Sequence, residues 1–138
     1  MKINVNWLGK DFHMEAENET DGKIRIDGKN NIGGLEGGLS PMQLLLAGIG
    51  GCSAIDVISI LEKQKQKLTD LKVEVDADKQ KLDAGYSEYK MIHLHFILSG
   101  ELDPKKVERA LKLSITKYCS VSKALEKGSE VSYDFEII

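Results

Sequence analysis

Two cysteines carry the most reactive side chains in this sequence. Cys52 lies within a long apolar run, and Cys119 follows Lys117 and Tyr118. The thiolate is the nucleophilic form of cysteine, and a helix N-terminus or a nearby cation lowers the thiol pKa. We therefore expect a lowered pKa at Cys119, which comes at a predicted helix start close to Lys117. We do not expect one at Cys52, because Asp56 lies four residues further along the same helical face.

The residue types leave two interpretations of this cysteine pair open. The thiols are either unreactive core residues, since free cysteine is among the most buried residue types, or a redox pair in a reducing compartment. Spacing alone does not decide between them, because a disulfide requires the long intervening segment to bring the sulfurs together.

Two histidines offer a second kind of chemistry. His93 and His95 share one face of a predicted strand, which is the beginning of a metal-ligand set. Zinc needs three or four ligands, and the sequence shows no third one nearby. We therefore expect a solvent-facing or interface pair, and the sequence predicts neither a metal site nor a cofactor site.

Length and composition limit the class of protein. The 138 residues predict a single domain, residues 1–138. A net charge of −3 argues against nucleic acid as a partner. The apolar run at residues 44–61 contains Asp56 and several glycines, so we interpret it as a buried core helix and expect no membrane span. Residues 1–7 show no signal-peptide pattern, which predicts a cytoplasmic location.

The predicted elements follow the order βββ-α-ββ-αα-β, which indicates the α+β class. Alternation of period two, bounded by glycine and aspartate, predicts antiparallel strands. Ser40, Pro41 and Gln43 form a capping box that opens a long helix, and the helical pattern runs to about Lys67. Since this helix is apolar on nearly every side, we expect a second subunit to help bury it.

Two shorter helices and a strand follow in the second half of the chain. Asp103 and Pro104 predict the start of one helix, and its apolar stripe includes Ile115. A shorter helix begins near Cys119 and Ser120, and an alternating final strand follows. These elements place Cys119 at a break between two helices.

The segment from Ser40 through Cys52 to Asp56, taken with Lys117-Tyr118-Cys119-Ser120-Val121, resembles the OsmC and organic hydroperoxide resistance family. The element order and the Pro-led helix agree with that resemblance. The run from Gly50 to Val57 and the strand around His93 are most similar to the YhfA-like branch of the family.

The resemblance implies both a fold and an activity. The fold has antiparallel sheets around a long central buried helix, in an intertwined homodimer. In the peroxidase members of the family, the first cysteine attacks an organic hydroperoxide and becomes a sulfenic acid. The second cysteine closes a disulfide, which a cellular thiol reductant reopens. Cys52 takes the first position and Cys119 the second. The leading prediction is thus a thiol peroxidase of the oxidative stress response.

One departure from the family pattern, taken together with Asp56, supports a rival prediction. Peroxidase members carry a glutamate directly after the helix-opening proline, where this sequence has Met42. They pair it with an arginine that holds the thiolate, and Arg25 is the matching residue here. Glu36 is a candidate replacement for the missing carboxylate. Met42 and Asp56 favour a redox-sensing or small-molecule-binding protein with little peroxidase turnover. A third possibility is a structural homodimer with two inert thiols.

Overall fold

The structure, a computed structural model, describes residues 1–28 and 38–138. The described residues form two compact units, Met1–Leu45 and Leu46–Ile138. The elements are β1 (Asn4–Trp7), β2 (His13–Glu17), β3 (Lys23–Asp27), α1 (Pro41–Lys63), β4 (Lys67–Lys81), β5 (Ser87–Glu101), α2 (Pro104–Leu113), a π-helical turn (Ser114–Tyr118), α3 (Ser120–Leu125) and β6 (Glu130–Ile137). This order confirms the predicted one, and the π-helical turn is an addition to it.

The first unit contains a three-stranded antiparallel sheet with the order β1-β2-β3. Its register places Glu15 of β2 opposite Arg25 of β3. The capping box at the start of α1 is confirmed. The Ser40 backbone N–H donates to Gln43 Oε1 at 2.9 Å, and the Gln43 N–H donates to Ser40 Oγ at 3.2 Å. Two amide groups that the first helical turn leaves without partners are thus satisfied.

Helix α1 ends at Lys63, so the predicted extension to about Lys67 is wrong. The reason is a left-handed backbone at Lys65, with φ of 57°, which a helix does not continue through. The N–H of Gln66 returns to the carbonyl of Leu61 at 2.9 Å and closes the end of the helix. Lys67 then begins β4 directly. The lysines and glutamines after Lys63 do not break the helical pattern of the sequence. Only the backbone geometry therefore shows where the helix ends.

One face of α1 is buried and another is exposed. The buried residues follow helical spacing and are Ile49, Gly50, Ser53, Val57 and Leu61. A Cβ added to Gly50 would lie 3.0 Å from Val75 Cγ2 of β4, so β4 approaches the helix closely at this glycine. By contrast, Ile55 is 69% exposed and Ile58 is 47% exposed. By length and composition α1 is also apolar enough to cross a membrane, a test that core helices pass as well.

The second unit contains a sheet with the order β4-β5-β6. Strands β4 and β5 are antiparallel, but β6 lies parallel to β5, so the expectation of antiparallel sheets is corrected to a mixed sheet here. The helices between β5 and β6 supply the crossover that a parallel pair needs. The inward side of β5 forms the centre of the core, since Ile92, Leu94, Phe96 and Leu98 are fully buried.

Helix α2 begins as the sequence predicts and ends differently. Asp103 caps it by accepting a hydrogen bond from the Lys105 N–H at 2.9 Å. The helix stops at Leu113, and Ile115, expected on its apolar stripe, lies in the π-helical turn that follows. Such turns are rare and occur frequently at functional sites. This one carries the chain directly to Cys119.

Candidate functional site

The fold of the second unit brings the two cysteines together. Cys52 lies midway along α1, and Cys119 lies between the π-helical turn and α3. The two Sγ atoms and a carboxylate oxygen of Asp56 all lie within 4.8 Å of one another. Both thiols are free, with Cys52 half-buried and Cys119 fully buried. The sulfurs are thus close enough that small side-chain movements can join them, which sequence spacing could not establish.

Backbone hydrogen bonds fix the position of Cys119 on both sides. Its N–H donates to the carbonyl of Ser114 at 2.8 Å, which closes the π-helical turn. Its Sγ accepts from the Ser122 N–H at 3.3 Å as the N-cap of α3. The Ser122 hydroxyl donates to the carbonyl of Ile115 at 3.2 Å, so the start of α3 is tied back to the same turn.

A buried serine holds the carboxylate of the site. Ser114 is fully buried, and its hydroxyl donates to Asp56 Oδ2 at 3.0 Å. The carbonyl of Ser53 lies further from the same hydroxyl, at 3.4 Å. Sequence analysis missed Ser114. The available signal was a lone polar residue between Leu113 and Ile115, in a stripe that is otherwise apolar.

The expected low pKa of Cys119 is wrong. Burial raises the pKa of this thiol to about 11, and the hydrogen bond from the Ser122 N–H offsets only part of that effect. The nearby Cys52 also raises it. Lys117 does not offset the raised pKa of Cys119, because its Nζ lies over the Tyr118 ring, 5.2 Å from the ring centre. Desolvation therefore outweighs the helix start as the main influence on this thiol.

Comparison with known proteins identifies the family. A family model described as OsmC-like protein matches residues 33–134. Protein YhfA of Escherichia coli (strain K12) is 34% identical over all of this chain and 98% of its own length. The chain belongs to the OsmC-like family.

Solved structures agree with this assignment of an OsmC-like fold. A hypothetical protein from Aquifex aeolicus has a TM-score of 0.80 at 27% identity, covering 99% of this chain and 96% of its own. The organic hydroperoxide resistance protein OhrB of Bacillus subtilis has a TM-score of 0.68 at 17% identity, covering 98% of this chain and 96% of its own. At 17% identity, the match to OhrB supports only a shared fold.

The arginine that the OsmC-like resemblance selected lies in the first unit. Arg25 Nε donates to Glu15 Oε2 at 3.0 Å, so its carboxylate partner comes from the neighbouring strand. Glu15 was missed in the sequence, although pairing of β2 with β3 places the two residues opposite each other. Glu36, the predicted replacement for the family glutamate, lies outside the described residues. The predicted role of Arg25 toward Cys52 stays a prediction.

The two histidines of this OsmC-like chain form a surface cluster with acids. Asp134 Oδ1 contacts His93 Nε2 at 3.0 Å and His95 Nδ1 at 2.6 Å. The hydrogen bond with Asp134 raises the pKa of His95, and the acids Glu136 and Glu74 add to that effect. Within residues 1–28 and 38–138, the group of metal-ligand side chains that converges is the one formed by Cys52, Asp56 and Cys119.

A cavity of about 600 Å³ opens beside the cysteine site of the OsmC-like chain. Asp56 reaches it, and two cations, Lys63 and Arg109, also line it. The remaining lining residues are Ser59, Ile60, Gln64, Leu113 and Tyr118. The sequence did not predict this cavity, because its walls come from α1 and the residue after it, from α2 and from the π-helical turn, whose mutual packing no local pattern indicates.

Proposed function

We propose that this OsmC-like protein reduces organic hydroperoxides, with Cys52 as the attacking thiol and Cys119 as the resolving thiol. The observation that carries the proposal is the approach of the two sulfurs to within 4.8 Å, in a fold that is shared with proteins named for organic hydroperoxide resistance. Cys52 is the less buried of the two cysteines, which favours it as the residue that meets the substrate first. Cys119 is buried, and its raised pKa keeps it protonated until an intermediate forms beside it.

The reaction balances in three steps. The Cys52 thiolate attacks one peroxide oxygen, the O–O bond breaks, and the alkoxide takes up the proton that Cys52 released on ionisation and leaves as an alcohol. The resulting sulfenic acid is attacked by the Cys119 sulfur, whose proton departs with the hydroxyl group as water. The sulfurs close from within 4.8 Å to a disulfide of about 2.05 Å. Two external thiol groups supply two electrons and two protons, which restore both cysteine thiols, and are themselves joined as a disulfide.

Oxidation of the reduced protein by cumene hydroperoxide tests this proposal. In a stopped-flow experiment we expect both thiols to be lost much faster than free cysteine reacts under the same conditions. Mass spectrometry should find the loss of two hydrogens and one Cys52–Cys119 cross-linked peptide. Thiols that persist, or that oxidise no faster than free cysteine, would contradict the peroxidase proposal.

A second candidate function rests on the electrostatics of the same site. A carboxylate oxygen of Asp56 lies within 4.8 Å of both sulfurs, which places an acidic group beside the nucleophile that the peroxidase reaction needs. A slow redox sensor or a small-molecule binder with little turnover fits these features. The adjacent cavity with Lys63 and Arg109 fits the binding function. Slow formation of the disulfide with negligible catalysis would favour this candidate.

We further propose that the protein acts as a cytoplasmic homodimer in which α1 is covered by the second chain. The support is the exposure of large apolar side chains on α1, with Ile55 at 69% and Ile58 at 47%. A helix with this much uncovered apolar surface is typical of an interface.

Ile55→Lys should weaken the dimer. Losing a buried isoleucine from each chain and placing two lysines in an apolar interface should raise the dissociation constant by about 100-fold or more. Sedimentation velocity over a dilution series measures this change. Ile138→Lys is the matched control, because Ile138 is 74% exposed but lies at the chain end beyond β6. A wild-type protein that sediments as a single chain at high concentration would refute the dimer.

A further inference from the structure

The cysteine site contains a third potential ligand that the peroxidase chemistry does not use. Asp56 follows Cys52 by one helical turn on α1, so both side chains point from the same face of one helix. Cys119 reaches the same point from the end of the π-helical turn. We propose that the reduced site binds one zinc ion through the Sγ atoms of Cys52 and Cys119 and a carboxylate oxygen of Asp56.

The spacing of the three atoms suits a tetrahedral ion. All three lie within 4.8 Å of one another. Tetrahedral zinc with Zn–S bonds of about 2.3 Å holds two ligand sulfurs about 3.8 Å apart. Small rotations of the side chains can bring the two sulfurs to that separation. Two thiolates select zinc over magnesium or calcium, which prefer oxygen ligands only.

The surroundings support and orient these ligands. The buried Ser114 hydroxyl donates to Asp56 Oδ2 at 3.0 Å, and the Ser122 N–H donates to Cys119 Sγ at 3.3 Å. Groups that donate hydrogen bonds to metal ligands in this way fix the orientation of those ligands in zinc sites. Among residues 1–28 and 38–138, no lysine or arginine nitrogen pairs with the Asp56 carboxylate within 4.0 Å. Three groups that can each carry negative charge thus converge at one point, which favours the binding of a cation.

An entry path and a fourth coordination position are also present. Cys52 is half-buried, and Asp56 lines the cavity of about 600 Å³. Zinc can enter from that side, and a water molecule can complete a tetrahedral set of two sulfurs and one oxygen. Binding replaces two thiol protons, which are released to solvent, so the complex carries one net negative charge.

Zinc binding and disulfide formation exclude each other, because both use the same two sulfur atoms. The inference goes beyond the proposed peroxidase, since it needs Asp56 and does not need turnover. Zinc should protect the thiols from hydroperoxide, and oxidation should release the metal. The metal-bound form is thus a reduced reserve of the protein that becomes reactive when zinc is withdrawn.

Cobalt and zinc titrations of the reduced, metal-free protein test this proposal. Under anaerobic conditions with a phosphine reductant, cobalt(II) should give a thiolate-to-cobalt charge-transfer band and the visible bands of tetrahedral coordination, saturating at one ion per chain. Zinc should displace the cobalt, and competition with a chromophoric chelator gives the zinc affinity. Cys52→Ser and Cys119→Ser should each weaken zinc binding by at least about 100-fold, because each removes a direct ligand.

Substitutions at Asp56 and Ser114, with a control on the same helix, test whether the Asp56 carboxylate is itself a zinc ligand. Asp56→Asn should weaken zinc binding by at least about 100-fold, and Ser114→Ala by about 10- to 100-fold, because it frees the carboxylate to rotate. Glu62→Gln is the matched control on the exposed side of the same helix and should bind like the wild type. Should Asp56→Asn fail to fold, the wild-type protein oxidised to its Cys52–Cys119 disulfide provides a second test and should bind no metal.

The outcomes separate this inference from the proposed function. A wild-type protein without a charge-transfer band at one equivalent of cobalt overturns the zinc site. Unchanged zinc affinity in folded Asp56→Asn, or metal binding by the disulfide form, overturns the ligand set. The metal-free protein could fail to react with cumene hydroperoxide and still bind zinc through the expected ligands. That result overturns the peroxidase proposal and supports the zinc site.

Discussion

Cys52→Ser should abolish the consumption of cumene hydroperoxide in the presence of a thiol reductant. A serine hydroxyl is a far weaker nucleophile than a thiolate, and Cys119 cannot replace Cys52, because it is fully buried and burial raises its pKa to about 11. Removing the nucleophile of a catalytic unit typically lowers the rate by about 1000-fold or more. Measuring hydroperoxide loss over time in the purified variant checks this expectation.

Cys119→Ser should behave differently and therefore serves as the matched partner. The first oxidation at Cys52 should proceed at close to the wild-type rate, because the attacking sulfur is unchanged. Without a resolving thiol within 4.8 Å, the sulfenic acid should persist and then oxidise further to sulfinic acid. Mass spectrometry should find two added oxygen atoms on Cys52. Equal loss of activity in both variants with no oxygen added to Cys52 would refute the assignment of roles.

The elements that the sequence predicted well are those with local signals. The capping box at Ser40 and the cap at Asp103 both involve residues within three positions of each other, and both are confirmed. The alternating strands also depend on local pattern. The element order could therefore be predicted from local patterns, whereas the family was indicated by the resemblance at the two cysteine-containing motifs.

The features that the sequence did not predict depend on long-range packing. The stop of α1 is set by a left-handed lysine, a residue type that rarely adopts that conformation. The parallel placement of β6 depends on how the crossover helices pack. The raised pKa of Cys119 depends on burial by residues far away in the chain, and that burial reverses the effect expected from the helix start. Ser114 donates to Asp56 from a position 58 residues further along the chain, so no local pattern indicates the contact.

Gly100→Ala should destabilise the protein more than alanine at Gly85 or Gly128. Gly100 lies in β5 opposite a bulge in β4, with φ of 135°, a conformation that alanine rarely adopts. A Cβ at this position would collide with the Lys67 carbonyl oxygen, which belongs to the backbone and cannot move aside cheaply. Strain of this kind costs about 1–3 kcal/mol, and overpacking costs about the same again. Thermal unfolding at one fixed protein concentration should show a Tm lower by roughly 10 °C or more.

Gly85 and Gly128 separate the contributions of backbone conformation and of steric collision to the stability that Gly100→Ala loses. Gly85 has φ of 100° but open space around its Cα, so Gly85→Ala should lose only the conformational part, about 1–3 kcal/mol. Gly128 also faces open space and is not in the left-handed region, so Gly128→Ala should change the free energy of unfolding by less than about 0.5 kcal/mol. A Gly100→Ala protein as stable as Gly85→Ala would mean that the β4 bulge yields to the added methyl group. The backbone conformation alone would then account for the loss at Gly100.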